Sequence, residues 1–314
     1  MQPFPAILTL PMLVGALLCG SGCSIKHFAI NKIGDALAGG GTTFTSDEDP
    51  ELVKAALPFS LKLMESLLAE SPRHQGLLFA TANGFMGYAY LFVQQEADEI
   101  QDKDFQASQE LRERARKLYL RARNYGLRGL EIAHPNFEKS LRHDPRRAVR
   151  QAGARDVPLL YWTAVSWAAA IGNAKNNPDL IGDLPVIDAL MDRLLELDES
   201  FDAGSIHSFL IAYEMSRPGA QDQLIARSRK HFARAMELNQ GRQAGPFVSL
   251  AESVAIAQQN RPEFESLLQR ALAVDPNARP EWRLINLVMQ RRARWLLSRA
   301  DELILEPEKT PSKP

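Results

Sequence analysis

Residues 264–276 have the sequence FESLLQRALAVDP, in which apolar residues recur at helical spacing until an acidic residue and a proline follow. Proline cannot continue the helix, so the chain has to turn back at this point. Similar helix endings recur along the chain. They occur as LLAESP at 67–72, LEIAHP at 130–135, LLELDE at 194–199 and AMELNQ at 235–240. The sequence therefore predicts a series of helices that double back on one another.

The spacing of these endings indicates the kind of repeat. The last two intervals are 41 and 36 residues, close to the 34 residues of a tetratricopeptide helix pair. The first two intervals, 63 and 64 residues, leave room for a pair and an insertion. From Glu51 onward the sequence contains no alternating run of β-branched residues that would predict a strand. We therefore predict an all-α fold, a superhelix of tetratricopeptide-like helical hairpins.

Helical spacing also gives the individual helices. We predict them over 50–70, 75–95, 107–133, 156–174, 184–197, 203–216, 220–238, 245–258, 261–273 and 280–302.

The first residues have the composition of an export signal. The run from Phe4 to Leu18 is apolar apart from one threonine, and the small residues Gly20–Gly22 precede Cys23. This order resembles a bacterial lipobox, in which the cysteine thiol accepts a diacylglycerol and acyl chains hold a soluble domain at the membrane. Cleavage by the ordinary signal peptidase is the alternative. We predict lipidation of Cys23 and a periplasmic protein, with the outer membrane favoured because Ser24 is not an aspartate.

Four segments follow from these patterns: a signal peptide over 1–22, a lipid-anchored segment with a glycine joint over 23–46, a helical domain over 47–303, and a disordered tail over 304–314. The 45% hydrophobic content is ample for a core. Because the net charge is −1, no global field recruits nucleic acid. Nucleic-acid binding is therefore not expected.

The sequence gives no positive sign of an enzyme. No two of the six histidines stand at the i, i+4 spacing that would place two metal ligands on one helix face. Glycine-rich phosphate loops and the HExxH and GxSxG patterns are absent from the sequence. We therefore predict no catalytic residue, metal or cofactor.

Two aromatic groups, each with small neighbours, are the candidates for a binding cleft. Small residues let helices approach closely and leave room beside the rings, although core packing is the alternative for any such stripe. The predicted ligand- or partner-binding residues are Asn83, Tyr88, Tyr161, Trp162, Trp167 and His207.

Several longer phrases resemble one family, the T component associated with tripartite ATP-independent periplasmic (TRAP) transporters. They are CSIKHFAINKIGDALAGGG at 23–41, LPFSLKLMESLLAESPRHQGLL at 57–78, GYAYLFVQQEAD at 87–98, YWTAVSWAAAIG at 161–172, IHSFLIAYEMSRPG at 206–219, GRQAGPFVSLAESVA at 241–255 and VDPNARPEWRLINLVMQRRARWLL at 274–297.

The resemblance implies a periplasmic lipoprotein that cooperates with the solute-binding subunit of a TRAP transporter, with a hydrophobic or organic-acid ligand. A homo-oligomer such as a trimer is left open. An outer-membrane or secretion-apparatus assembly scaffold without a small-molecule cleft is the alternative function. A periplasmic enzyme with an unrecognised site is a third.

Overall fold

The computed structural model describes residues 28, 30–39, 41–174 and 177–305. Every regular element within these ranges is a helix, so the prediction of an all-α fold is confirmed. The predicted signal peptide, Cys23 and the tail from 306 onward lie outside the described residues. The glycine joint predicted around 39–41 falls partly within them, where residues 30–39 and Gly41–Thr45 are helical.

Eleven of the described helices build the body. They are α1 (Pro50–Glu70), α2 (Gln75–Ile100), α3 (Phe105–Ala133), α4 (Phe137–His143), α5 (Val157–Gly172), α6 (Leu184–Asp198), α7 (Phe201–Glu214), α8 (Gln221–Asn239), α9 (Gly245–Leu250), α10 (Arg261–Leu272) and α11 (Arg283–Ser298). Shorter helical segments are Pro145–Ala148, Val149–Gln151, Ala154–Asp156, Pro178–Ile181, Pro280–Trp282 and Ala300–Leu303.

The helix starts follow from capping residues in the sequence. Asp49 accepts hydrogen bonds from the backbone amides of Glu51 and Leu52 at 3.0 and 3.1 Å, with Pro50 at the first helical position of α1. Asn260 accepts from the amide of Glu263 at the start of α10 in the same way, at 3.2 Å. Each cap satisfies a backbone donor that has no partner within its helix.

Helices α3 and α5 approach each other closely at two glycines. A Cβ atom on Gly126 would lie 2.1 Å from Thr163 Oγ1, and one on Gly129 would lie 2.9 Å from a methyl carbon of Leu159. A methyl group at either position would have to displace the Thr163 or the Leu159 side chain. The two glycines therefore set the distance between the helices.

The first and last helices share one apolar core. Buried Leu57 and Leu61 of α1 belong to the same cluster as Val288 of α11, and α11 contacts α1 directly. Ion pairs reinforce this closure, since Arg291 of α11 lies 2.9 Å from both Glu51 and Glu99. The superhelix thus closes on itself as a ring, which the repeat pattern in the sequence did not predict.

Two segments of the ring are π-helical where the sequence predicted regular α-helix. The first, Ala89–Gln94, lies within α2, and the second, Ala251–Ala255, continues α9. A π segment inserts an extra residue into the helical turn and is frequent at functional sites. Tyr90 and Glu252 occupy the second position of their respective segments.

Helix α7 begins with an unusual turn. Asp202, Ala203 and Gly204 have φ angles of 46°, 52° and 89°, a left-handed conformation that side chains other than hydrogen disfavour by roughly 1–2 kcal/mol per residue. The predicted helix over 203–216 is therefore present, but its first turn is distorted.

Helix α2 is long and apolar enough to cross a bilayer by length and composition alone, and half of its apolar window is buried within the protein. A core helix of a soluble protein meets the same two criteria.

The close approach of α3 and α5 yields a matched pair of variants. We expect Gly126→Ala to lower the free energy of unfolding by about 1–3 kcal/mol, because the added methyl group forces Thr163 to move. Gly87→Ala is the control, since a Cβ there meets open space, and it should be neutral or stabilising by up to about 1 kcal/mol. Urea denaturation followed by circular dichroism measures both. Equal effects would contradict the close approach.

Candidate functional site

The predicted aromatic residues do not share one surface. Tyr88 packs on α3, with its hydroxyl 3.4 Å from Arg114 Nη2, and is 7% exposed. Trp167 is completely buried and donates a hydrogen bond from Nε1 to Asp183 Oδ2 at 3.0 Å. These two side chains are core residues. The prediction that they line a common cavity with Tyr161 and Trp162 is not what the structure shows.

A stripe of α2 that does not include Tyr88 contains more accessible residues. Asn83, Gly87 and Tyr90 follow one another at i, i+4 and i+7, so they lie on one stripe of the helix. Asn83 is half-buried, a Cβ on Gly87 would meet open space, and Tyr90 is 38% exposed. Of the predicted residues on α2, Asn83 is therefore the one that shares a face with Tyr90.

Tyr90 is partly exposed, although protein atoms surround much of its side chain. Its ring is accessible, yet burial among surrounding protein atoms raises the pKa of its hydroxyl to about 12. The charge of Glu252 adds to the increase and that of Arg292 opposes it, so both groups lie near the phenol.

The pKa values of three further polar groups shift in the same direction. Burial raises the pKa of Glu252, although its side chain is 31% exposed, and raises the pKa of the exposed Asp202. Burial also raises the pKa of Tyr161, and the charges of Asp202 and Tyr90 contribute to that increase. Tyr90 interacts electrostatically with Glu252 and with Tyr161, and Tyr161 with Asp202, and we name the region that contains these four residues the central recess. Helices α2, α5, α7 and the π segment after α9 each contribute one of these residues.

One end of the central recess rests on a chain of ion pairs. Arg292 of α11 lies 2.6 Å from Glu252 and 3.0 Å from Asp98, and Asp98 lies 2.7 Å from Arg112. The guanidinium of Arg292 also stacks on Trp295, 4.3 Å from the ring centre. Two positive and two negative groups alternate along this chain, so it is balanced in charge. It connects the two π-containing helices through α11.

Rings and a carboxylate stand together at the other end. Tyr161 lies 5.0 Å from Trp162 and 5.3 Å from Phe201 between ring centres. Its hydroxyl donates to the carbonyl oxygen of Ser205 at 3.3 Å, and the Ser205 hydroxyl donates to Asp202 at 2.7 Å. The left-handed turn that opens α7 therefore presents Asp202 beside an aromatic cluster.

His207 lies in a different place, between α7 and α8. Its Nδ1 is 2.9 Å from Nδ1 of His231, and its Nε2 is 3.3 Å from Glu199. One Nδ1 must donate and the other accept, so the pair is held in a form that is not fully protonated. Burial lowers the pKa of both rings, that of His231 to about 4. In the ranges that the structure describes, no group of three or more metal-ligating side chains could hold a metal ion.

The comparison with known families decides the class of protein. The family model described as TRAP transporter T-component matches residues 46–304, which include all of the helices α1 to α11. The chain belongs to this family. An uncharacterized protein of Treponema pallidum (strain Nichols) is 28% identical over 308 residues, which is 92% of this chain and 95% of that relative. The family resemblance inferred from the sequence is confirmed.

In this T component, sequence reasoning missed Tyr90, Asp202 and Glu252. The stripe of Asn83, Gly87 and Tyr90 was a usable signal for the first, because it has helical spacing and includes a glycine. No local pattern marks Asp202 or Glu252, whose placement depends on the left-handed turn and on a π segment.

The lowered pKa values of the histidine pair predict that acid destabilises the T component. Because folding lowers the pKa of His231, the stability that its neutral form contributes is present above the unfolded value of about 6.5 and is lost as the pH falls towards 4. The charged neighbours of the pair are Glu199, Glu214, Arg217, Lys230 and Arg234.

We expect the free energy of unfolding to fall by about 2 kcal/mol more in the wild type than in His231→Gln between pH 7 and pH 4. The exposed His143 provides a control, since His143→Gln should follow the wild type. Urea denaturation at each pH measures the difference. Parallel pH profiles for the wild type and His231→Gln would show that this pair does not titrate with folding.

Proposed function

We propose that this T component is a periplasmic lipoprotein that binds the solute-binding subunit of a TRAP transporter and holds a small ligand in its central recess. Family membership supports the association with the transporter. The observation that carries the ligand proposal is the central recess itself. It combines an accessible tyrosine and two carboxylates with surroundings that oppose their ionisation.

A dry core would not retain such groups. A carboxylate enclosed by protein is costly unless it is paired or solvated. Asp202 is accessible and not fully buried, so water or a ligand has to meet its oxygens. Ligand sites in proteins typically combine mostly apolar walls with a few polar groups that fix orientation. The rings around Tyr161 and the two carboxylates fit that description.

The assembly-scaffold alternative has no small-molecule cleft. It gives no role to an accessible Tyr90 or to π segments at two places on the ring, whereas ligand binding gives a role to both. Adjacent genes for a solute-binding subunit and a membrane permease would support the transporter function only. An enzyme would require a nucleophile and a base within hydrogen-bonding distance of each other in the central recess.

We expect the Cys23→Ala protein to be released from membranes, because stable anchoring takes at least two acyl chains and the proposed anchor carries them on Cys23. Fractionation with a high-salt wash measures this release. Retention of the Cys23→Ala protein in the membrane fraction after the wash would rule out lipidation as the anchor.

The second test uses the soluble Cys23→Ala protein and the solute-binding subunit encoded nearest to it. Native mass spectrometry at micromolar concentrations should detect a complex of the two chains, together with any co-purified small molecule. Tyr90→Trp, which places a larger ring in the central recess, should reduce the ligand-bound fraction at least about ten-fold.

The matched control is Phe59→Trp, the same enlargement at a side chain that is 75% exposed on the outside of α1. It should change neither the complex nor the ligand-bound fraction. Absence of any complex would contradict the partner, whereas equal ligand loss in both variants would contradict the recess.

A further inference from the structure

Positive charge is concentrated in the connection between α3 and α5. Residues 139–155 contain six lysine or arginine side chains and one acidic side chain, Asp144, whereas the whole chain has a net charge of −1. The Asp144 carboxylate is engaged with the backbone, since it accepts a hydrogen bond from the amide of Arg147 at 3.1 Å. The exposed cations that form no ion pair with any described residue are Lys139, Arg146, Arg147, Arg150 and Arg155.

The acids of α6, which packs against this connection, do not cancel its charge. Arg193 of α6 donates to the carbonyl oxygen of Ala152 at 2.8 Å, which fixes the contact between the two segments. Glu196 is paired with Arg193 at 2.9 Å, and Asp192 lies 3.9 Å from Arg217. The exposed arginines of the connection therefore keep a net positive surface.

This connection lies at the same end of the ring as the turn between α1 and α2. His134, at the end of α3, is 2.9 Å from Asp156, at the end of the connection. Arg128 of α3 donates to the carbonyl oxygen of Pro72 at 3.3 Å. The next residue, Arg73, is exposed and also lacks an ion pair with the described residues. We name the following set the basic edge: Arg73, Lys139, Arg146, Arg147, Arg150 and Arg155.

A helix that precedes α1 packs at this end of the ring. It covers residues 30–39. The Ser71 hydroxyl, in the turn between α1 and α2, donates to Asn31 Oδ1 at 2.9 Å. Leu37 of this helix and Ile132 of α3 pack against the same apolar cluster. The helix, the turn and the end of α3 are therefore neighbours.

The start of this helix limits the distance to the proposed anchor. Phe28 is the first described residue and follows Cys23 by five residues. An extended chain spans at most about 3.6 Å per residue, so an acylated Cys23 lies within about 18 Å of Phe28. Phe28 and Ile33 are 65% and 52% exposed, and Lys32 Nζ is 5.7 Å from the centre of the Phe28 ring. Exposed apolar side chains beside a lysine are typical of a surface that meets lipid.

A basic surface that is held close to a bilayer attracts anionic head groups. The attraction grows with each lysine or arginine near the lipid and falls off within the Debye length, about 8 Å at physiological salt. Guanidinium groups also match phosphate oxygens with two parallel hydrogen bonds. An acidic protein could use the same charges, but the proximity of the anchor favours lipid.

We propose that the basic edge docks the T component on the anionic lipid head groups of the membrane that carries its anchor. This inference rests on the proposed function, because it takes Cys23 as the anchor. The acyl chains hold the protein at the bilayer, and the arginines fix its orientation. The turn between α1 and α2 then faces the head groups, and the opposite end of the ring is turned away from them.

The test uses the soluble Cys23→Ala protein, which lacks acyl chains, and vesicles of phosphatidylcholine with and without about one third phosphatidylglycerol. Sedimentation at low salt should show at least about ten-fold stronger binding to the vesicles that contain phosphatidylglycerol. High salt should abolish this preference, because it screens the charges. The triple variant Arg146→Gln, Arg147→Gln, Arg150→Gln should lose most of it. Its fold should persist, since these side chains are exposed and outside the described ion pairs.

The matched control is the triple variant Lys103→Gln, Lys230→Gln, Arg294→Gln. It removes the same number of exposed cations that pair with no described residue, and Lys103 precedes α3 at the end of that helix opposite to His134. This control should keep the preference for phosphatidylglycerol. Circular dichroism verifies the fold of both variants.

Equal binding to the two kinds of vesicle would overturn the inference, as would an equal loss in the two triple variants. Loss of the complex with the solute-binding subunit in the arginine variant, without any vesicle preference, would assign the basic edge to a protein partner and would also overturn it. The anchor is tested separately, because the high-salt wash removes electrostatic binding before fractionation. Failure of the anchor would therefore leave the vesicle result unchanged.

Discussion

The packing of α11 against α1 is the contact on which the rest of the structure depends. An open helical superhelix leaves its concave face in water and ends in polar capping faces. Here the terminal helices instead contact each other and contribute buried residues to one apolar cluster. Helices α2 and α7 both contact α5, and burial raises the pKa of Tyr90 on α2 and of Tyr161 on α5.

Closure also explains the ion chain from Arg112 to Glu252. Arg292 comes from the last helix, Asp98 from the second, and Glu252 from the π segment after α9. Enclosed charges are costly unless each has a partner, and removing one partner leaves another uncompensated. The chain therefore makes one register of α11 against α2 more favourable than its neighbours. Apolar packing alone would allow α11 to shift along α2 more readily.

Much of the fold could be predicted from the sequence because its signals are local. Helical spacing and capping residues such as Asp49 and Asn260 depend on a few neighbouring residues, and the structure follows them closely. The site could not be predicted in the same way. Tyr88 and Tyr90 are two residues apart on one helix, and which of them faces inward depends on the packing of α3. Trp167 has the small neighbours that predict a cleft, but it lies in the core, where its indole Nε1 donates a hydrogen bond to Asp183.

Asp202 shows why such positions escape sequence reasoning. Alanine disfavours the left-handed region and three such residues in succession are strained, so tertiary contacts hold Asp202, Ala203 and Gly204 in this conformation. Gly204 packs on Leu238, where a Cβ atom would already be 3.1 Å from that side chain, and Tyr161 binds the carbonyl of Ser205 from α5. Those contacts exist only once α5, α7 and α8 have assembled. The backbone strain at this turn is thus held by contacts from three helices, which no local sequence pattern encodes.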